Sequence, residues 1–153
     1  FLNQFIFRSP LFYSDSGPVS SILIESGASI SHKDDDGLTA LHSGAERGNV
    51  EVCKVLIEKG ADVNCIDNQK FKYKIKQTPL HKAVDNNKEE VVKLLLDSGA
   101  QIKVLDISRQ SPEAIAKAKK LYEILEIICR SDKEQKKLIL NFVKNKLKKR
   151  LDI

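Results

Sequence analysis

The chain repeats itself, and that limits what it can fold into more than any other property it has. Thr39-Ala-Leu-His-Ser-Gly-Ala, followed later by Gly60-Ala-Asp-Val-Asn, returns as Thr78-Pro-Leu-His-Lys-Ala-Val and Gly99-Ala-Gln-Ile-Lys. A weaker copy starts at Ser111-Pro-Glu-Ala-Ile-Ala. Ser111 lies 33 residues after Thr78, and Gly60 lies 33 after Gly27; the irregular step, Thr39 to Thr78, is 39, one period plus six. Self-similarity at this period predicts a stack of small supersecondary units, each covering an apolar face of its neighbour. Such an array presents one long surface and encloses no deep pocket, which favours binding over catalysis.

The repeated residues resemble the ankyrin family, whose T-P-L-H…G-x-x-E-V-V-x-L-L-L-x-x-G-A-D-V-N pattern is matched over roughly residues 17 to 129. Here it reads Thr39-Ala-Leu-His42, then Gly48-Asn-Val-Glu-Val-Cys-Lys-Val-Leu-Ile57, then Gly60-Ala-Asp-Val-Asn64. The next copy departs at Asn87, where the inter-helix Gly is expected, and at Gln101 and Lys103. The resemblance implies an all-α solenoid of helix-turn-helix pairs with β-hairpin fingers, in three to four repeats. Within a repeat, Thr39 is placed to cap a first helix by accepting an orphan backbone N–H. Val50, Val52, Cys53, Leu56 and Ile57 supply the apolar positions of a second helix. Gly60, like Gly27 and Gly99, is placed to end that helix in the left-handed conformation. Fingers follow, ending near Asp34, Asp67 and Asp106.

Three segments are expected: residues 1–18, a degenerate or truncated first repeat; 19–129, the repeats, with an insertion at 70–75; and 130–153, a basic amphipathic helix. The N-terminus is rich in Phe (Phe1, Phe5, Phe7, Phe12) and reads as surface meant to be covered, as a missing upstream repeat would explain. No methionine occurs, position 1 included, so a fragment or processed product is expected. The opening apolar stretch lacks a preceding basic region and makes a poor signal peptide. No apolar run approaches the ~20 residues of a membrane span. Three cysteines without paired spacing suit reduced thiols, hence an intracellular protein, cytoplasmic or nuclear, with an effector secreted by an intracellular bacterium also compatible.

The six extra residues fall in the second finger, where Lys70-Phe71-Lys72-Tyr73-Lys74-Ile75-Lys76 alternates cation and apolar side chain. Period two places the four lysines on one side of an extended ribbon and Phe71, Tyr73 and Ile75 on the other. Two readings stand: a lengthened hairpin resting on its neighbours, or a projecting element whose lysines meet an acidic partner around an aromatic anchor. In the tail, Ser131-Asp-Lys-Glu134 forms a capping box that would start a helix after Arg130. Leu138, Ile139, Phe142, Val143, Leu147 and Leu151 would give that helix one apolar side. Residues 130–153 carry a net charge of +6 and the whole chain +5, so the other 129 residues sum to −1. A basic amphipathic helix can meet an anionic membrane, a calmodulin-like partner or nucleic acid; the plainer reading is a cap on the open end of the array.

The resemblance also implies a concave face that contacts a protein partner. The positions it marks are Asp35, Asp36, Leu38, Glu46 and Arg47, then Asn68, Gln69, Gln77, Asp85 and Asn86, then Ser108, Gln110 and Lys119. His42 and His81 occupy equivalent places in adjacent copies, about 10 Å apart at helix-packing distance, too far to share a metal ion. The resemblance gives them hydrogen bonds that tie neighbouring turns together. No catalytic constellation, metal site or cofactor motif stands out. The expectation is a monomeric, non-catalytic scaffold or adaptor for an unidentified protein. The alternatives are an adaptor whose tail binds an anionic surface and a regulatory or targeting fragment of a larger enzyme.

Overall fold

The computed structural model describes residues 9–67 and 76–132. A 3-10 turn, Pro10–Tyr13, leads into α1 (Gly17–Glu25). Two full helix pairs follow, α2 (Ala40–Arg47) with α3 (Val50–Glu58) and α4 (Pro79–Asp85) with α5 (Glu89–Asp97). The series closes with α6 (Pro112–Ala118) and a last helix, α7, over 122–132. The short helices α2, α4 and α6 stack on one another as an inner layer, and α1, α3 and α5 form an outer layer behind them. Among the described residues there is no strand.

Local chemistry sets each boundary. Asn49 caps α3 by accepting from Val52 N–H at 3.1 Å, and Ser111 caps α6 by accepting from Ala114 N–H at 3.2 Å. After each outer helix a glycine takes positive φ: +95° at Gly27, +96° at Gly60, +90° at Gly99. The next residue then donates back to the final turn, Ala61 N–H to Leu56 O and Ala100 N–H to Leu95 O, both 2.9 Å. That closure satisfies a carbonyl the helix would otherwise orphan. The turn between inner and outer helices also needs left-handed backbone, with φ +79° at Gly48, +53° at Asn87 and +58° at Lys120. The expected glycine is thus a conformational requirement that Asn meets easily and Lys meets at a cost.

The core lies between the layers. Leu41, Leu56, Leu80, Leu95, Ile124 and Ile128 are fully buried, one or two from each unit, with Leu11 and Phe12 closing the first. Polar ties cross the gaps between units as well. Asn64 accepts from Gln101 N–H at 2.8 Å and donates to Gly99 O at 3.3 Å, fastening one loop to the next.

One sequence expectation is corrected. Ser131 and Asp132 do not start a helix: they lie inside α7, which is already running from residue 122. The capping-box pattern is outcompeted by the buried positions Ile124 and Ile128, one helical turn apart, which carry the helix past Arg130. The first unit, degenerate in sequence, keeps its outer helix and reduces its inner helix to the Pro10–Tyr13 turn. Residues 133–153, the predicted basic helix, lie outside the described residues.

Candidate functional site

Three fingers project from one edge of the inner layer, and one carboxylate closes each. Asp34 N–H donates to Leu38 O, Asp67 N–H to Gln77 O and Asp106 N–H to Gln110 O, at 2.9, 2.9 and 3.0 Å. Each Asp side chain caps the returning strand of chain: Asp34 Oδ1 accepts from Leu38 N–H at 2.9 Å, Asp67 Oδ1 from Gln77 at 2.7 Å, Asp106 Oδ1 from Gln110 at 2.9 Å. The closing pair is four residues apart in the first and third fingers and ten apart in the second. The six extra residues therefore fall between Asp67 and Gln77, whose pairing matches that of the other two fingers. Burial raises the Asp67 carboxyl above its usual range, and its Oδ2 has no hydrogen-bond partner, with Lys82 Nζ 3.9 Å away.

Each finger base is then tied to the preceding inner helix through a buried imidazole. His42 Nε2 donates to Gln77 O at 3.1 Å and His81 Nε2 to Gln110 O at 3.2 Å. A carbonyl only accepts, so Nε2 carries the proton and Nδ1 is the acceptor. Nδ1 of His42 accepts from Thr39 N–H at 3.1 Å, and Nδ1 of His81 from Thr78 N–H at 3.2 Å. The hydroxyls Thr39 Oγ1 and Thr78 Oγ1 also lie 2.9 and 2.8 Å from the two Nδ1 atoms. Burial, the main cause, pushes the His42 imidazole down to about 4, and burial lowers His81 in the same direction. Both rings are neutral struts between repeats. Cys65 Sγ sits 3.8 Å from His42 Nδ1 and 3.5 Å from Thr39 Oγ1, a neighbourhood the sequence did not suggest. Burial raises that thiol while lowering the imidazole, the reverse of an activated thiolate–imidazolium pair.

A family model described as "Ankyrin repeats (3 copies)" matches residues 11–106, more than half of the chain. The chain belongs to the ankyrin-repeat family. Among curated proteins it is similar to the "Ankyrin repeat and KH domain-containing protein mask" of Drosophila melanogaster, 46% identical over 46 residues. That alignment takes 30% of this chain and 1% of the fly protein. Ankyrin repeats generally mediate protein–protein interaction, and the family is generally non-catalytic.

On this ankyrin scaffold the predicted contact residues divide. Asp35, Glu46, Ser108 and Gln110 are exposed, and Asp36 is half-buried, its backbone N–H donating to Asp34 Oδ1 at 3.0 Å. Lys76 is exposed with φ +50° at the foot of the second finger. Leu38 is a correction: at 6% exposure it belongs to the core, because its backbone closes the finger and turns the side chain inward. Arg47 is exposed and also ties down the first unit: its guanidinium donates to Asp15 Oδ1 at 3.0 Å, Phe12 O at 2.9 Å and Ser14 O at 3.0 Å. Asp85 and Lys119 satisfy each other across neighbouring repeats at 2.7 Å, and Asn86 Nδ2 donates to Lys82 O at 2.9 Å. Gln77 is half-buried, with its backbone N–H and carbonyl both committed. Lys70, Phe71, Lys72, Tyr73 and Lys74, with Asn68 and Gln69, lie outside the described residues.

Sequence reasoning missed the tip of the third finger. Arg109, at φ +57°, takes the place that Lys76 and Gly37 take in theirs, and Leu105 and Ile107 on either side of Asp106 are each 53% exposed. The repeat offset alone could have found Arg109, since it lies 33 residues after Lys76 and 72 after Gly37.

Proposed function

We propose that the chain is a non-catalytic recognition module that docks a protein partner along its fingers and inner helices, as a scaffold or adaptor. The observation that carries this reading is a line of exposed, uncommitted side chains on a stiff support. Asp35 and Glu46 present negative charge in one repeat, and Lys76 and Arg109 positive charge in the next two, while the backbone beneath is clamped by the Asp and His bonds just described. A preformed surface of this kind loses little conformational entropy on binding. Its split charge favours a partner segment of opposite polarity, with steering that weakens as salt rises. Lys76 follows the Lys-rich insertion at 70–75 directly in the chain.

The test is a charge-reversed groove, Asp35→Lys with Glu46→Lys and Arg109→Glu, set against a control on the outer helices, Lys54→Glu with Lys93→Glu. A protein captured from a eukaryotic lysate by the natural chain is expected to be lost by the groove variant and kept by the control. Retention by the groove variant would refute the reading.

A further inference from the structure

The loops that follow the outer helices are stitched together at one junction and not at the one before it. Between the second and third units Asn64 spans the gap: its Oδ1 accepts from Gln101 N–H at 2.8 Å and its Nδ2 donates to Gly99 O at 3.3 Å. A carboxamide suits that place because it carries an acceptor and a donor side by side. In repeat register the same two backbone groups at the preceding junction are Asp62 N–H and Gly60 O, and the residue placed to reach them is Ser31. Its side chain is shorter and carries a hydroxyl in place of the amide. Ser31 Oγ lies 3.5 Å from Ser29 Oγ, and among the described residues no hydrogen bond joins it to Gly60 or Asp62.

Where the amide is missing there is room. A cavity of about 750 Å³ opens between the first two units, with Ser31 and Lys33 on one side and Gly60, Asp62 and Cys65 on the other. Its volume is in the range of sites that hold small ligands. Ile30 and Ile66 add apolar wall, and Lys33 Nζ links the two units by donating to Ile66 O at 2.9 Å. Asn64 and its two partners display, within the same molecule, the chemistry that the Gly60–Asp62 segment can hold. We propose that this cavity is a recognition pocket for the carboxamide of an asparagine side chain on a protein partner. The amide oxygen accepts from Asp62 N–H and the amide nitrogen donates to Gly60 O. An aspartate in its place would set a carboxylate oxygen against a carbonyl oxygen, two acceptors with no proton between them, so the pocket discriminates amide from acid. The source of the amide rests on the protein-recognition reading above; the pocket itself is tested without a captured protein or the groove, so either can fail alone.

The experiment is a titration of the 15N-labelled full chain, read from its amide resonances. The probe is N-acetyl-L-asparagine N-methylamide, with the corresponding aspartate compound as its control. The asparagine compound is expected to shift the Asp62 amide resonance saturably, and the aspartate compound to bind about tenfold more weakly or less. Ser31→Asn places the amide inside the chain, and is expected to abolish the shift and raise Tm by about 3 °C. Ser31→Ala, which leaves the cavity open, is expected to keep both the shift and the natural Tm. An Asp62 resonance that does not move, or moves equally with both compounds, would overturn the proposal. A shift that survives in Ser31→Asn, or is lost in Ser31→Ala, would overturn it as well.

Discussion

Acid should loosen this array through one ring. His42 is fully buried, donates through Nε2 to Gln77 O and accepts at Nδ1 from Thr39 N–H, and its burial disfavours the charged form. Its folded pKa is pushed from 6.5 down to about 4, while the unfolded chain titrates near the ordinary value. A lowered folded pKa means the unfolded state binds the proton first. The contribution is complete above about pH 6.5 and drains away as pH falls toward about 4, a difference worth about 3 kcal/mol. His81 acts in the same sense. Asp67 acts in the opposite sense in the acid range above 3.8, because its raised carboxyl takes up a proton more readily when folded. Comparing the natural chain with His42→Gln cancels these shared contributions. Urea unfolding followed by circular dichroism at pH 7.5, 6.0, 5.0 and 4.5 is the assay. At pH 7.5 the variant is expected to be less stable by about 1–3 kcal/mol, having lost a buried hydrogen bond. The gap should narrow as pH falls and nearly close by pH 4.5. A gap that stays constant across the series would refute the neutral-strut reasoning.

Leu56→Ala, at a fully buried position of α3, should cost about 2–5 kcal/mol by opening a cavity, and an unchanged Tm would contradict the repeat register. Lys120→Gly should stabilise the chain by about 1 kcal/mol, read from the urea midpoint, because Lys120 is held at φ +58°. A loss of stability there would mean the Lys side chain matters more than its backbone strain. Replacing Lys70, Lys72, Lys74 and Lys76 by Gln should weaken capture of the partner and leave Tm within a degree or so, as surface substitutions do. Undiminished capture would remove the second finger from the recognition surface.

Much of this molecule could be read from its letters because the period is a covalent fact. Once Thr39, Thr78 and Ser111 are aligned, the two layers, the helix caps and the burial of Leu41, Leu56, Leu80 and Leu95 follow, since each unit needs its neighbour. Where a letter carries no backbone signature, the reading stopped. Lys76, Arg109 and Lys120 adopt positive φ only because the repeat demands it of whichever residue stands there. Leu38 was placed on the groove by the family resemblance, and only the closed finger shows which way the leucine turns. The ties of Arg47 were not legible for a related reason: its partners Phe12 O, Ser14 O and Asp15 belong to a turn whose shape the degenerate first repeat did not disclose. Ser131 illustrates the opposite failure, a good local signal overridden by a helix stabilised from outside.

The most direct test of the groove as the working surface is capture from a eukaryotic lysate treated with nuclease. It compares the full chain with one ending at Asp132, the last described residue of α7. The account predicts one specific protein retained by both after nuclease, since the fingers and inner helices are intact in each. Capture that disappears with nuclease, or only in the shortened chain, would contradict it and move the function to the basic tail.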